Sequence, residues 1–323
     1  MCIRTKFWIN RVGILILSLL LVSSCRSSHK SKKELIIFHA GSLAVPMQEL
    51  VREFKTWHPQ INILRESSGS RMAARKVSEL GKQADVLALS DFQVFDDLLM
   101  PEHVDWYIKF ACNRMVIAYT QGSKYANEIN SQNWYKILLR KGVNYGYSDP
   151  NLDPCGYRTL MVWQLADLYY GEEIFSKLKA GCPKNNIRPS EVGLLALLES
   201  LALDYAFEYQ SIAIQHNLKY IQLPEEIDMS NPALASIYKQ AKVEVSGKES
   251  GKKSIVIGSP IVYGISIPKD APHYEDAVEF VKFALSQKGQ EIFQKNGQSP
   301  LVPWIASDMK RIPQELMLSQ NPT

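Results

Sequence analysis

Residues 147–158, Tyr-Ser-Asp-Pro-Asn-Leu-Asp-Pro-Cys-Gly-Tyr-Arg, constrain the chain more than any other stretch. The β-prone residues 143–147 lead into two prolines that bar helix until Pro154 is passed. There the ring suits a first helical position, with Asp153 as its N-cap. The stretch predicts strand, polar turn and helix in direct succession. Tyr157, Met161, Leu165 and Leu168 recur at helical spacing, which anchors the helix in a core and leaves its N-terminus facing outward. A helix start carries free N–H groups and the positive end of a dipole, so it is suited to an anion. Taken singly, Asp153 would only cap its helix.

The same grammar recurs. Residues 35–38 read as a buried strand, followed by His39, Ala40, Gly41 and Ser42 and then a helix with Met47, Leu50, Val51, Phe54 and Trp57 on one face. Gly41 lets a backbone approach closely, and Ser42 offers a hydroxyl and an N-cap position. Strand 61–64 delivers Glu66, Ser67, Ser68, Gly69 and Ser70 before a helix through Met72, Ala73, Val77 and Leu80. Such a loop can wrap N–H groups and hydroxyls around a tetrahedral oxyanion without a cation. Strand 204–207 delivers Glu208, Tyr209, Gln210 and Ser211 into another short helical run. Between these lie strands at 84–89, ending at a turn Asp91, and at 115–119, with a crossover at Cys112 and Asn113. Residues 171–189 read as a surface excursion. Residues 190–201 form a helix, and 254–257 with 262–267 read as a strand pair around Pro260.

The first 24 residues carry Arg4, Lys6 and Arg11 and then an apolar run at 12–22, about half of what a spanning helix needs. That is a signal peptide, and Val-Ser-Ser-Cys resembles a lipobox in which Cys25 becomes the lipid-modified first residue. Residues 25–33 read as lipidated Cys and tether. Removing residues 1–24 takes three positive charges and no negative ones from a formal +4, leaving +1. A nucleic-acid partner, which wants a basic face, loses its support. Cys112, Cys155 and Cys182 are an odd number, so at least one thiol is free, and a Cys155–Cys182 bridge stays open.

Four strand ends, at Ser42, Ser70, Asp153 and Glu208, fall in two pairs along the chain. In open α/β sheets ligands bind beyond the carboxyl ends of strands, so two lobes that each contribute two ends can close on one ligand. The expected fold is α/β, two-lobed and periplasmic-binding-protein-like (type II), with a hinge between lobes. Residues 34–116 with 260–323 form lobe 1, and 117–259 form lobe 2.

At this point the residues carry a resemblance. His-Ala-Gly-Ser-Leu at 39–43, Glu-Ser-Ser-Gly-Ser at 66–70, Asp-Pro-Asn-Leu-Asp-Pro-Cys-Gly-Tyr-Arg at 149–158 and Asp-Tyr-Ala-Phe-Glu-Tyr-Gln-Ser at 204–211 resemble the binding motifs of molybdate/tungstate ABC-transporter substrate-binding proteins, in particular the tungstate-binding branch. The likeness runs from about residue 35 to 303. It implies that Ser42 and Ser70 bind the oxyanion while Asp153 and Glu208 ligate its Mo or W centre, completing an octahedral oxygen shell around four oxo groups. It also implies no cofactor, a permease and ATPase complex as partner, an exported protein held to a bacterial membrane by its lipid, and a monomer.

The carboxylates can be argued physically. Two carboxylates beside a dianion in a partly desolvated cleft repel it by roughly several kcal/mol. They help only if they reach the metal, and hard Mo(VI) and W(VI) accept oxygen donors where the sulfur of sulfate does not. A phosphate site, with a carboxylate accepting from a protonated phosphate, is the nearest binding alternative. Against an enzyme stands the lack of any Gly-x-Ser-x-Gly, His-Glu-x-x-His, P-loop or dinucleotide motif. The six His residues are scattered, and His39 reads as a strand-end residue.

Overall fold

The computed structural model describes residues 34–317. Cys25, the signal peptide and the tether lie outside them. Strand β1 (Glu34–Ala40) leads through a tight turn at Gly41–Leu43 into helix α1 (Ala44–Trp57), and β2 (Asn62–Ser68) leads directly into α2 (Ser70–Ser78). Strands β3 (Val86–Leu89) and β4 (Ile108–Cys112) follow. The chain then crosses to β5 (Met115–Tyr119), α3 (Trp134–Leu138), β6 (Tyr145–Ser148) and α4 (Pro154–Tyr170). Next come α5 (Ile174–Gly181), the short β7 (Ile187–Arg188), α6 (Val192–Glu199), β8 (Tyr205–Tyr209), α7 (Gln210–Gln215) and β9 (Lys219–Gln222). Single-turn helices α8 (Glu225–Asp228) and α9 (Ala235–Tyr238) precede a hairpin of β10 (Lys242–Ser246) and β11 (Lys253–Ile257). The chain returns through β12 (Val262–Ser266), α10 (Tyr274–Leu285), α11 (Gln287–Lys295), β13 (Ser299–Ala306) and α12 (Gln314–Met317).

Two sheets organise these elements. One has the order β13-β4-β12-β3-β1-β2, the other β7-β6-β8-β5-β9. In the first, β1 runs parallel to β2 and β3, so the chain ends of β1, β2 and β3 lie on one edge. In the second, β6 runs parallel to β7 and β8. The segments that pass between the sheets meet, because the Asn113 N–H donates to the Ile261 carbonyl at 3.2 Å. One large apolar cluster runs through both sheets, from Leu35 and Met47 to Trp163 and Phe207, so the lobes share packing and are not beads on a linker.

Several local expectations need correction. Strands β11 and β12 do not pair with each other. β11 closes the hairpin with β10, while β12 inserts between β3 and β4. Residues 171–189 are more than a surface excursion, since α5 buries Ile174 and Leu178 and β7 joins the sheet. Trp57, Leu80, Leu168 and Leu201 are exposed, because each falls at or beyond a helix end where the apolar stripe has left its neighbour. Cys112, Cys155 and Cys182 are free thiols, which closes the question of a Cys155–Cys182 bridge.

Candidate functional site

Helix α4 begins as its sequence requires. Asp153 is the N-cap, its Oδ1 accepting the Cys155 N–H at 3.1 Å, and Pro154 occupies the first position. The N-terminus does not face outward, however. Residues 153–163 are buried, Asp153 completely, because the helix packs on β5, β6 and β8 while its first turns meet Gly69 and Asp91 from the first sheet. Gly156 lets the preceding turn fold back on the helix: a Cβ there would lie 2.1 Å from the Ser148 carbonyl oxygen.

Ser42 is fully buried and caps nothing, because α1 starts two residues later. Its Oγ accepts from the Tyr263 hydroxyl at 2.9 Å, and Tyr263 in turn accepts from Asn113 Nδ2 at 2.9 Å. Asn113 also donates to Ser211 Oγ at 2.8 Å, so the crossing segment ties the Ser42 turn to the start of α7. The Ser42 N–H donates to Glu191 Oε1 at 2.7 Å, and the Glu191 N–H donates to Asp153 Oδ2 at 2.8 Å. Ser42 and Asp153, 111 positions apart in the sequence, are thus joined through one intermediate residue.

Glu208 lies inside β8 and not in the turn after it, opposite Val116 of β5. It is fully buried, and neither carboxyl oxygen has a partner among the described residues. Burial pushes its carboxyl well above the usual carboxylate range, and the charge of Asp153 adds to the effect. Glu191, also fully buried, is raised by burial and then by Asp153, with Glu208 contributing further. Three carboxyl groups from three elements therefore share one desolvated region. Like charges that act on one another there favour protons, or a metal that takes carboxylates as ligands.

Ser70 is the first residue of α2 and is fully buried. Its hydroxyl pairs with Ser90 Oγ at 3.0 Å and accepts the Ser90 N–H at 2.9 Å, inside its own lobe. It reaches the others through its neighbour: a Cβ on Gly69 would stand 2.5 Å from the Leu152 carbonyl oxygen and 2.9 Å from Asp153 Cβ. Glu66, Ser67 and Ser68 belong to β2, so only Gly69 remains of the expected loop. Ser42, Asp153 and Glu208 are thus drawn around Glu191, and Ser70 borders them.

Glu191 escaped the sequence reading, although a signal for it existed. Ile187 and Arg188 form a strand, Pro189 and Ser190 a turn, and α6 follows, which is the strand, turn and helix order that marked the other positions. A second group was read only in part. Asp91 does form the expected turn, its Oδ1 accepting the Gln93 N–H, but it is also fully buried and accepts from the Tyr157 hydroxyl at 2.7 Å and from Arg158 Nη2 at 2.5 Å. Arg158, fully buried as well, donates its other nitrogen to the Ser259 carbonyl. This ion pair clamps the first turn of α4 against the end of β3.

The sequence matches the family described as bacterial extracellular solute-binding protein over residues 35–298. It is 46% identical over 284 residues to an uncharacterized solute-binding protein of Petrotoga mobilis, covering 88% of each chain. It is 43% identical over 342 residues to the molybdate/tungstate-binding protein WtpA of Pyrococcus abyssi, covering 95% of this chain and 97% of that one. Among solved structures, the periplasmic molybdate-binding protein of Azotobacter vinelandii superposes with a TM-score of 0.59 at 17% identity, covering 82% of this chain and 98% of the other. The structural likeness bears on the two-lobed α/β fold alone.

Proposed function

The chain belongs to the family of bacterial extracellular solute-binding proteins, and from that premise we propose that it captures molybdate or tungstate between its two lobes and delivers it to an ABC importer. The observation that carries this reading is Glu208: a fully buried carboxyl with both oxygens unpartnered, beside Asp153 at a helix start. An unpaired buried carboxyl is costly, and a nearby second one makes it costlier. A metal centre that takes both as ligands relieves the cost, and Mo(VI) or W(VI) brings its own oxo groups to complete the shell. In this reading Ser42 and Ser70 flank the oxo groups, and Asp153 and Glu208 ligate the metal. The name of the Pyrococcus abyssi relative supports the choice of ligand.

The lobes are proposed as 34–116 with 260–323, and 117–259. The rest of the proposal is a monomeric, non-catalytic binding protein, exported by residues 1–24 and held to the membrane by a lipid on Cys25. It hands its cargo to a permease and ATPase complex. Cys25→Ser should abolish lipid attachment, and a variant that still partitions into detergent like the parent would remove the anchor from the proposal.

Calorimetric titration of the wild type, Asp153→Ala and Glu208→Ala with tungstate, molybdate, sulfate and phosphate tests the site. If the carboxylates ligate the metal, each substitution weakens tungstate strongly. If they merely crowd an anion held by N–H groups, each tightens every oxyanion by relieving repulsion. The two models differ in sign. X-ray absorption of bound tungsten gives an independent check, since four short oxygens and nothing further would remove both residues from the shell.

A further inference from the structure

A peptide N–H makes one good hydrogen bond, and that of Ser42 is already directed at a side chain from the other lobe. Its acceptor, Glu191 Oε1 at 2.7 Å, belongs to the residue preceding α6, whereas Ser42 sits in the turn between β1 and α1. Turn N–H groups at the start of a helix are the donors an oxyanion uses, and a carboxyl presents the same kind of oxygen to them. The seat is shaped for it. A Cβ on Gly41 would lie 2.9 Å from Glu191 Oε1 and 2.7 Å from Val192 Cγ2, so only glycine at 41 lets Glu191 come this close. The Ser42 peptide itself is pinned, because its carbonyl accepts from Gln298 Nε2 at 2.8 Å and Gln215 Nε2 at 3.2 Å. Glu191 Oε2 has no hydrogen-bond partner among the described residues. The Glu191 backbone N–H holds Asp153 at 2.8 Å, so this contact stays in place when the side chain leaves Ser42.

We propose that the Glu191 side chain is a built-in competitor of the oxyanion at the Ser42 turn: it latches the two lobes together in protein free of oxyanion, and an incoming anion takes the Ser42 N–H from it. This rests on the reading of the cleft as an oxyanion site. A latch of this kind lowers apparent affinity by the fraction of molecules it holds shut, and it keeps the free protein from standing fully open. It differs from a strut, for which the same bond would be part of the liganded state.

The test uses Glu191→Ala and the isosteric Glu191→Gln in the full exported chain. Tungstate affinity is measured by calorimetry, and the radius of gyration in oxyanion-free buffer by small-angle X-ray scattering. Glu191→Ala should bind tungstate about tenfold more tightly, the upper end of what a hydrogen bond between uncharged groups contributes, and should be more expanded than the wild type without oxyanion. Glu191→Gln should tighten less, since its amide oxygen still accepts from Ser42, and it decides the matter if the alanine variant does not fold. Unchanged or weakened tungstate affinity in either variant, with the wild type binding normally, would overturn the latch. A wild type that binds no oxyanion would sink the functional reading instead. Scattering would then still decide, an expanded Glu191→Ala supporting the latch and an unchanged radius refuting it.

Discussion

Removing Asp91 should be among the most damaging single changes in this protein. Asp91 and Arg158 are both fully buried and lie 2.5 Å apart, the first at the end of β3 and the second in the first turns of α4. Asp91→Ala leaves a guanidinium in the interior with one carbonyl partner, the Ser259 oxygen, and strips the Tyr157 hydroxyl of its acceptor. Uncovering one member of a buried pair costs about 3–5 kcal/mol, most of it the penalty of the stranded charge. For roughly 290 folded residues an unfolding entropy of about 2 cal/mol/K per residue makes each kcal/mol worth ~1.5–2 °C, so Tm should fall by about 5–9 °C. Replacing both partners, Asp91→Ala with Arg158→Met, removes the charge altogether and should recover more than half of that loss, because apolar replacement of a buried pair is often close to neutral. Differential scanning calorimetry of the two single variants and the double variant closes the cycle. Glu244→Ala serves as control, since its pair with Lys253 is exposed and should leave Tm in place. A fall of under 1 °C for Asp91→Ala, or a double variant worse than either single, would refute the stranded-charge argument.

Three further outcomes follow from the geometry. Gly69→Ala places a methyl 2.5 Å from the Leu152 carbonyl, where the turn before α2 meets the turn before α4. It should weaken tungstate by about fivefold or more, as overpacking costs ~1–3 kcal/mol and in the proposed function the lobes make this contact only when closed; unaltered calorimetric affinity would show that the contact can yield. His39, buried in β1, is lowered to about 4 by burial. The unfolded chain therefore takes up a proton that the folded one refuses, and about 3 kcal/mol of stability is lost as pH falls from 6.5 to 4. His39→Gln should flatten that decline in urea titrations run across this range. Asp228, raised to about 6 by burial, acts in the opposite sense: the folded chain keeps the proton longer, so its contribution is present below pH 4 and lost as pH rises to 6. Asp228→Asn should remove that loss in the same titrations, and an unchanged slope would mean the carboxyl is ionised throughout.

What the sequence determined by itself was whatever could be decided within a few residues. Pro154 and Asp153 fix the start of α4 because a missing N–H and a capping oxygen act on adjacent peptides. The apolar spacing of Met47, Leu50 and Phe54, or of Ala277, Phe280 and Val281, buries those faces whatever lies opposite. Only the tertiary structure decided which strand ends meet and with what partners. Glu191 was invisible as a member of the site because its strand is two residues long and earns its place only by pairing with β6. Asp91 reads as a turn residue until Arg158, 67 positions away, arrives beside it. Ser42 has the composition of a cap but is gripped from Tyr263 and Glu191, so its hydroxyl and N–H are committed elsewhere. The outward-facing helix start became a buried one for the same reason. Local propensity is settled by neighbours along the chain, whereas burial and charge pairing depend on how two sheets are set against each other, which joins residues far apart in sequence that no short pattern encodes.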